Sequence, residues 1–168
     1  MEPGDVCIIV GVVPGQPDIL LTSAGEFARR FRAELVCASV DQNRYSVHEN
    51  PDGSVSTLPI DPDLPEMRDA EFDPRLRAHI AHVLDGRGIQ WSTRALAGEP
   101  AHALGRLAHR LDAAMIIVGT REATVSGGIR EFFSGSVAVH LAHRQHRPVV
   151  VIPLAPAATD RELPWSAS

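Results

Sequence analysis

The chain has 168 residues, of which 44% are hydrophobic and 22% charged, and these ordinary values predict one folded domain with a buried core. Its formal net charge of -5 argues against nucleic acid as an electrostatically driven partner. No apolar run reaches the roughly 18 residues of a membrane span, and the acidic start is unlike a signal peptide. We therefore expect a cytoplasmic protein with no membrane partner, in which residues 1–153 form the domain and 154–168 a tail.

The reactive side chains predict no enzymatic activity. All sixteen basic residues are arginine, as a GC-rich bacterial genome would encode, and the absence of lysine excludes a P-loop and a lysine nucleophile. No catalytic Ser-His-Asp or Cys-His motif is recognisable. Cys7 and Cys37 lie in apolar runs and are expected to be packing residues. His140, His143 and His146 step by three along a helix, which spreads them around it, so no metal site is expected.

The apolar pattern alternates between strand and helix along the chain. Short β-branched runs predict five strands, and apolar residues at three- and four-residue steps predict four helices. In chain order they are strand 5–13, helix 20–31, strand 34–41, helix 72–83, strand 89–97, helix 100–111, strand 113–119, helix 134–142 and strand 149–153.

Three local features refine these elements. Residues 42–66 contain four prolines and keep neither period, so an irregular surface excursion is expected there. Gly86 or Gly88 is expected to end the second helix with a positive φ, and Pro100 to begin the third. The strand 89–97 alternates apolar and polar residues, which predicts one wet face and a place at a sheet edge.

Alternation of five strands with four helices predicts an α/β fold. Right-handed crossovers restrict it to a doubly wound, five-stranded parallel sheet with helices on both faces. Ligands of such sheets bind beyond the carboxyl ends of the strands, where the strand order reverses. The loop that follows the fourth strand has that kind of position.

That loop reads VGTREATVSGGIREFFSGS, residues 118–136, and leads into the fourth helix. The unpaired N–H groups at a helix N-terminus attract anions, so Gly135, Ser136 and Val137 are candidates to receive an anionic oxygen. Serine and glycine are also ordinary helix-capping residues, and a plain helix start is an equally good interpretation.

Three segments of the chain carry a family resemblance. They read ARRFRAELVCASVD, AGEPAHALGRLAHRLDAAMIIVGT and SGSVAVHLAHRQHRPVVVIP. The last two contain a Gly-x-Pro helix start, an apolar strand that ends in Gly-Thr, and a Gly-Ser helix followed by Pro-Val-Val-Val. In this order they resemble the universal stress protein family over residues 5–153. The resemblance implies a Rossmann-like sheet of the adenine nucleotide alpha hydrolase type.

The nucleotide-binding motif of that family is only partly present. Binding members carry Gly, two residues, Gly, nine residues, then Gly-Ser or Gly-Thr. Gly119 matches the first position, but Glu122 replaces the middle glycine and residues 123–134 make the spacer three residues longer. Val13 stands where binding members tend to have an aspartate. An added like charge and displaced backbone donors both disfavour phosphate, so we expect ATP, if it binds at all, to bind weakly.

Three hypotheses follow. The first is a non-enzymatic stress-response protein that acts through interactions and holds no cofactor. The second is a member that binds ATP or AMP, or another small anionic ligand, as a nucleotide-dependent signalling module. The third, a nucleotide-using transferase, is disfavoured because no His-x-Gly-His signature occurs. The binding positions that the resemblance implies are the backbone of Val40 beside the base, Gly119 and Thr120 beside the ribose, and Gly135, Ser136 and Val137 at the phosphates.

The closing strand predicts an assembly. Its apolar run continues to Pro153, and the resemblance implies that it lies at the sheet edge opposite residues 89–97. An exposed apolar edge is an aggregation hazard that pairing with a second copy removes, so we expect a homodimer through residues 148–153. The alternative is a monomer whose edge is covered by the tail from Ala155 onward.

Overall fold

The computed structural model describes residues 6–52, 54–59, 68–120 and 135–154, and within them it contains eight strands and four helices. The strands are β1 (Cys7–Gly11), β2 (Glu34–Asp41), β3 (Arg44–Glu49), β4 (Val55–Pro59), β5 (Arg68–Asp69), β6 (Trp91–Ala97), β7 (Met115–Thr120) and β8 (Val149–Pro153). The helices are α1 (Ile19–Phe31), α2 (Pro74–Leu84), α3 (Pro100–Arg110) and α4 (Gly135–Arg144).

Five strands form one parallel sheet in the order β6-β2-β1-β7-β8. The predicted doubly wound sheet is confirmed, because the chain moves from β1 to one edge and returns to build the other. The predicted edge positions of β6 and β8 are confirmed as well. The strand order reverses between β1 and β7, so their carboxyl ends form the crevice in which ligands of this fold class bind.

Two apolar layers hold the helices against the sheet. Successive residues of a strand project to opposite faces, so Ile9 and Ile116 pack among residues of α3 and α4. Ile8 and Ile117 pack on the other face, among residues of α1 and α2. All four side chains are fully buried, which explains why these strands are continuous apolar runs rather than alternating ones.

The helix ends follow local chemistry. Pro100 begins α3 as predicted, and the carboxylate of Glu99 accepts hydrogen bonds from the first backbone N–H groups of that helix. Asp73 caps α2 in the same way. Gly86 and Gly88 both have positive φ, as expected after α2. No helix in the described part of the chain is long and apolar enough to cross a bilayer.

The prediction of an irregular excursion over residues 42–66 is wrong for the part that the structure describes. β3 and β4 form an antiparallel hairpin, and β5 extends it to a three-stranded sheet. The prolines do not break the strands, because Pro51 lies in the turn between them and Pro59 is the last residue of β4. Prolines are tolerated at such positions.

The hairpin covers part of β6, so the expected wet face of that strand is corrected where the two meet, whereas Gln90 just before it is exposed. The hydroxyl of Ser46 donates to the carbonyl of Ala97, at 3.3 Å. The guanidinium of Arg94 donates to the carbonyl of Asp52 in the hairpin turn, at 2.9 Å. No residue of β6 is fully exposed. Of its polar side chains, Arg94 reaches the hairpin turn, whereas Ser92 donates to the carboxylate of Glu34 and Thr93 accepts from Arg77 of α2. A strand pattern alone does not reveal such partners.

Both cysteines are free thiols, and they lie against opposite faces of the parallel sheet. Cys37 is fully buried among the α1 and α2 side chains, and Cys7 packs against the other layer. Burial raises the pKa of the Cys37 thiol to about 12. Burial, assisted by the charge of Glu34, raises that of Cys7 to about 11. Both thiols stay protonated at neutral pH, as packing residues would.

These raised pKa values predict a loss of stability at high pH. The unfolded thiols release their protons near pH 9 whereas the folded ones keep them, so the free energy of unfolding should fall as pH rises from about 9 toward 12. For Cys37 the slope should approach about 1.4 kcal/mol per pH unit. Urea unfolding at several pH values tests this, and the chain contains no lysine whose titration would overlap this pH range. Cys37→Ala should show a smaller slope, and an unchanged slope would contradict the prediction.

Candidate functional site

A cavity of about 400 Å³ opens at the carboxyl ends of β1, β2 and β6. Three strand ends, the hairpin and the segment before α2 form its wall. The described residues that line it are Val13, Pro14, Ser39, Val40, Asp41, Arg44, Thr57, Ala70, Glu71, Asp73, Ala95, Leu96 and Ala97. Its volume falls in the range of small-molecule sites, and it lies at the edge where ligands of this fold class bind.

The hairpin contributes a fixed polar wall to this cavity. The guanidinium of Arg44 donates to the hydroxyl of Thr57 at 2.6 Å and to its carbonyl at 3.0 Å. The Thr57 side chain is fully buried. These contacts hold Arg44 along the hairpin, because its planar donors meet two oxygens of one residue. The sequence does not predict this polar wall, because residues 42–66 were expected to be irregular.

Acidic side chains predominate around the cavity. Asp41, Glu71 and Asp73 line it, whereas Arg44 is the one basic residue among the described lining residues. Asp41 accepts a hydrogen bond from the backbone N–H of Asn43 at 2.8 Å, and Asp73 is held as the cap of α2. Glu71 is exposed. The rim therefore favours neutral or cationic groups and disfavours phosphate near it.

A buried amide donor lies in the loop after β1. Gln16 is only 7% exposed, and its side-chain oxygen accepts from the backbone N–H of Val13 at 3.0 Å. That bond fixes the orientation of the amide. Its nitrogen, Nε2, is buried and has no partner among the described residues. A buried donor without a partner costs about 1–3 kcal/mol, so an acceptor supplied by a ligand would satisfy it. No sequence motif marks Gln16 as a site residue.

The proposed binding positions divide between the cavity and its surroundings. Val40 lines the cavity. Gly119 and Thr120 do not line it but contact the residue after β8: a Cβ built on Gly119 would lie 2.6 Å from the Leu154 side chain. The Thr120 hydroxyl accepts from the Leu154 backbone N–H at 3.3 Å. Gly119 and Thr120 thus both contact Leu154, the residue that follows β8.

The three positions assigned to the phosphates lie at the start of α4. Gly135 and Ser136 are its first residues, and the Val137 side chain is 5% exposed and packs in the core. Only the backbone of Val137 is therefore suited to contact a ligand. Glu122 and residues 123–134 lie outside the described residues.

The histidines of α4 and of the turn that follows it do not converge. His140, His143 and His146 are all exposed, and Nδ1 of His140 lies 4.0 Å from a Glu99 carboxylate oxygen. In the described ranges no group of three His, Cys, Asp or Glu side chains is placed to hold a metal ion.

The sequence matches a known protein family. Residues 8–153 match the model of the universal stress protein family. The chain belongs to this family. The resemblance seen in the sequence is thereby confirmed over nearly the whole parallel sheet. Among curated proteins, no sequence match was found.

Solved structures of universal stress proteins share the fold. One from Archaeoglobus fulgidus is 18% identical with a TM-score of 0.56, and the match covers 88% of this chain and 98% of that one. A universal stress protein in complex with cAMP is also 18% identical, with a TM-score of 0.56 and coverage of 89% and 98%. The Archaeoglobus fulgidus protein in complex with dAMP has 18% identity, a TM-score of 0.51 and coverage of 88% and 97%.

Proposed function

We propose that this universal stress protein is a non-enzymatic, cytoplasmic stress-response protein that acts through protein interactions and binds adenine nucleotides weakly. The acidic rim of the cavity carries this proposal. Asp41, Glu71 and Asp73 line this cavity. A phosphate near them meets like charges, whereas a neutral base does not. The cavity is thus better suited to a nucleoside than to a triphosphate.

The described lining residues of the cavity offer few of the side chains that catalyse reactions of nucleotides. Among its described lining residues there is no histidine, cysteine or lysine. The carboxylates of Asp41 and Asp73 accept from backbone N–H groups. An activated nucleophile needs a base within hydrogen-bond reach. This arrangement supports a binding role and not hydrolysis or transfer.

A second candidate function is that of an ATP- or AMP-binding signalling module. The unpartnered Nε2 of Gln16 favours it, because a ligand oxygen would satisfy this buried donor. Relatives in complex with cAMP and dAMP favour it as well. In this alternative the backbone N–H groups at the start of α4 receive the phosphates, and Val40, Gly119 and Thr120 lie along the nucleoside.

Mass spectrometry of the protein purified under non-denaturing conditions separates the two candidates. A stoichiometric amount of bound ATP or AMP would favour the signalling module. Protein free of nucleotide, together with calorimetric dissociation constants for AMP and ATP well above the micromolar range, would support weak binding. Micromolar affinity of the wild type for ATP would contradict the proposal.

The acidic rim itself is tested by Glu71→Gln. Removal of one exposed like charge should strengthen AMP binding by about three- to tenfold, since such a charge is worth on the order of 1 kcal/mol at a solvated rim. Adenosine, which has no phosphate, should bind with unchanged affinity. Calorimetry with both ligands gives the two values.

Glu71→Asp is the matched control, because it keeps the charge and should bind AMP like the wild type. An equal gain for AMP and adenosine would mean that the side chain blocks the cavity sterically. No gain for either ligand would mean that Glu71 does not face the phosphate.

A further inference from the structure

A groove of about 610 Å³ runs along the outer side of α1. One wall is the part of α1 between Thr22 and Arg30, and the other is formed by Arg87 and Ile89, which follow α2. None of the described residues that line this groove also lines the cavity at the carboxyl ends of the strands. The α1 groove is therefore a separate surface.

Aromatic rings form the apolar part of this surface. Phe27 lines the groove and stacks on Phe31, with ring centroids 6.5 Å apart and planes inclined by 8°. Phe31 is 51% exposed, so the apolar surface continues past the groove to the end of α1. Removal of such a ring from water by an apolar group is favourable.

The two walls of the groove are packed closely on each other. Gly25 of α1 faces the segment after α2, where a Cβ would lie 2.9 Å from the Ile89 side chain and 3.2 Å from that of Leu84. Phe27 and Ile89 both pack against the layer that holds α1 and α2. The groove is thus a fixed feature of the folded surface.

The α1 groove carries a positive charge that its own side chains do not cancel. Glu26 is the one acidic residue among the described lining residues. Its carboxylate accepts from Arg29 at 2.8 and 3.1 Å and from Nε of Arg30 at 2.9 Å. The exposed Arg87 guanidinium has no partner within the described ranges. One carboxylate balances only one of the three guanidinium groups, although the chain as a whole has a net charge of -5.

The chain leaves the described domain on the same face of the sheet as α1. Leu154, the residue before the tail, packs against the layer of α1 and α2. Its side chain covers Gly119, and its backbone N–H donates to the Thr120 hydroxyl at 3.3 Å. These contacts fix the point from which residues 155–168, which lie outside the described residues, continue.

The tail has both the length and the side chains to reach and fill the groove. An extended chain from Leu154 to Trp165 spans about 35 Å, whereas α1 is only about 20 Å long. The tail contains the carboxylates of Asp160 and Glu162 against one arginine, and the apolar side chains of Leu163 and Trp165 directly follow them. Carboxylates pair with guanidinium groups, and a tryptophan ring packs well on other aromatic rings.

We propose that residues 155–168 dock in the α1 groove of their own chain. Trp165 then lies against the stacked rings of Phe27 and Phe31, and the acidic side chains lie beside Arg87 and Arg30. A homodimer through residues 148–153 leaves this surface open, because the groove is not at the β8 edge of the sheet. Any protein that presents an acidic and aromatic segment to this groove must first displace the tail.

Tryptophan fluorescence of the full chain carrying Trp91→Phe tests the proposal, because Trp165 is then its single tryptophan. Acrylamide should quench Trp165 at least about twofold less in this chain than in a synthetic peptide of residues 155–168, since a tethered segment has a millimolar local concentration and occupies even a weak site. Arg30→Glu combined with Arg87→Glu should raise the quenching to that of the peptide, because attraction becomes repulsion.

The matched control is Arg75→Glu combined with Arg144→Glu, which makes the same charge change at exposed positions outside the groove. Its quenching should equal that of the Trp91→Phe chain, and thermal melting verifies that both double variants fold. Asp160→Arg with Glu162→Arg, added to the groove variant, should restore the shielding of Trp165. A variant that had lost the shielding through misfolding would not recover in this way.

Three results would overturn the proposal. Equal quenching in the full chain and in the peptide would show that the tail is not docked. Shielding that persists in the groove variant would place the tail elsewhere, such as along the edge of β8. Shielding that falls on dilution of the protein would assign the groove to the tail of a second copy.

Discussion

Replacement of Val151 by lysine is expected to convert a homodimer of twice the 18.1 kDa chain mass into a monomer. β8 is an edge strand of the parallel sheet, and Val151 is one of its apolar side chains with substantial exposure, 41%. Pairing of β8 with its copy in a second subunit would satisfy the outer backbone groups and bury Val151. Val139 of α4, the helix that packs on β8, is 53% exposed and would extend the same interface.

Light scattering at micromolar concentration measures this effect. Val151 is a better position than Val150, because Val150 packs against the α1 and α2 layer and a lysine there would disturb the fold. Tyr45→Lys is the matched control, since Tyr45 is 48% exposed and lies on β3, away from β8. It should remain dimeric. A wild type that is monomeric would reject the homodimer and favour an edge covered by the tail from Ala155.

Ile117→Ala is expected to destabilise the protein by about 3–4 kcal/mol, within the range for large-to-small substitutions in a core. Ile117 is fully buried on β7, between β1 and β8, and contacts the layer that holds α1 and α2. Its truncation removes apolar burial and leaves a cavity that the rigid central strands do not fill. A loss of this size is a large fraction of the stability of a domain.

Urea denaturation gives the free energy of unfolding for this variant and for its control. Ile19→Ala makes the same chemical change at a residue that is 47% exposed at the start of α1, and it should cost less than about 1 kcal/mol. Similar losses for the two variants would mean that Ile117 does not pack as described.

The parallel sheet was predictable because its signal is local and repeated. Ile8, Ile9, Ile116 and Ile117 belong to short apolar runs that are buried on both faces, and Pro100 and Gly86 mark helix ends through their own backbone preferences. The family match over residues 8–153 agrees with this reading of the sequence. Each such element could be identified without knowledge of its neighbours.

The hairpin and much of the site depended on tertiary contacts and could not be predicted in the same way. The strands β3 and β4 have mixed polar sequences whose stability comes from pairing and from Thr57 buried beneath Arg44. Gln16 has no motif, and only its burial reveals the donor without a partner. The packing of Leu154 on Gly119 joins residues 35 positions apart, which no local pattern contains.

In this protein the hairpin contributes to the cavity without taking part in the parallel sheet. β3 and β4 are inserted between β2 and α2 and supply Arg44 and Thr57 to the cavity, yet they pair with no strand of the parallel sheet. Substitutions there can reshape the binding surface while the central strands keep their register. Homologues could therefore diverge in the molecule they recognise through changes in this one insertion, and exchange of the hairpin between relatives is a direct route to altered specificity.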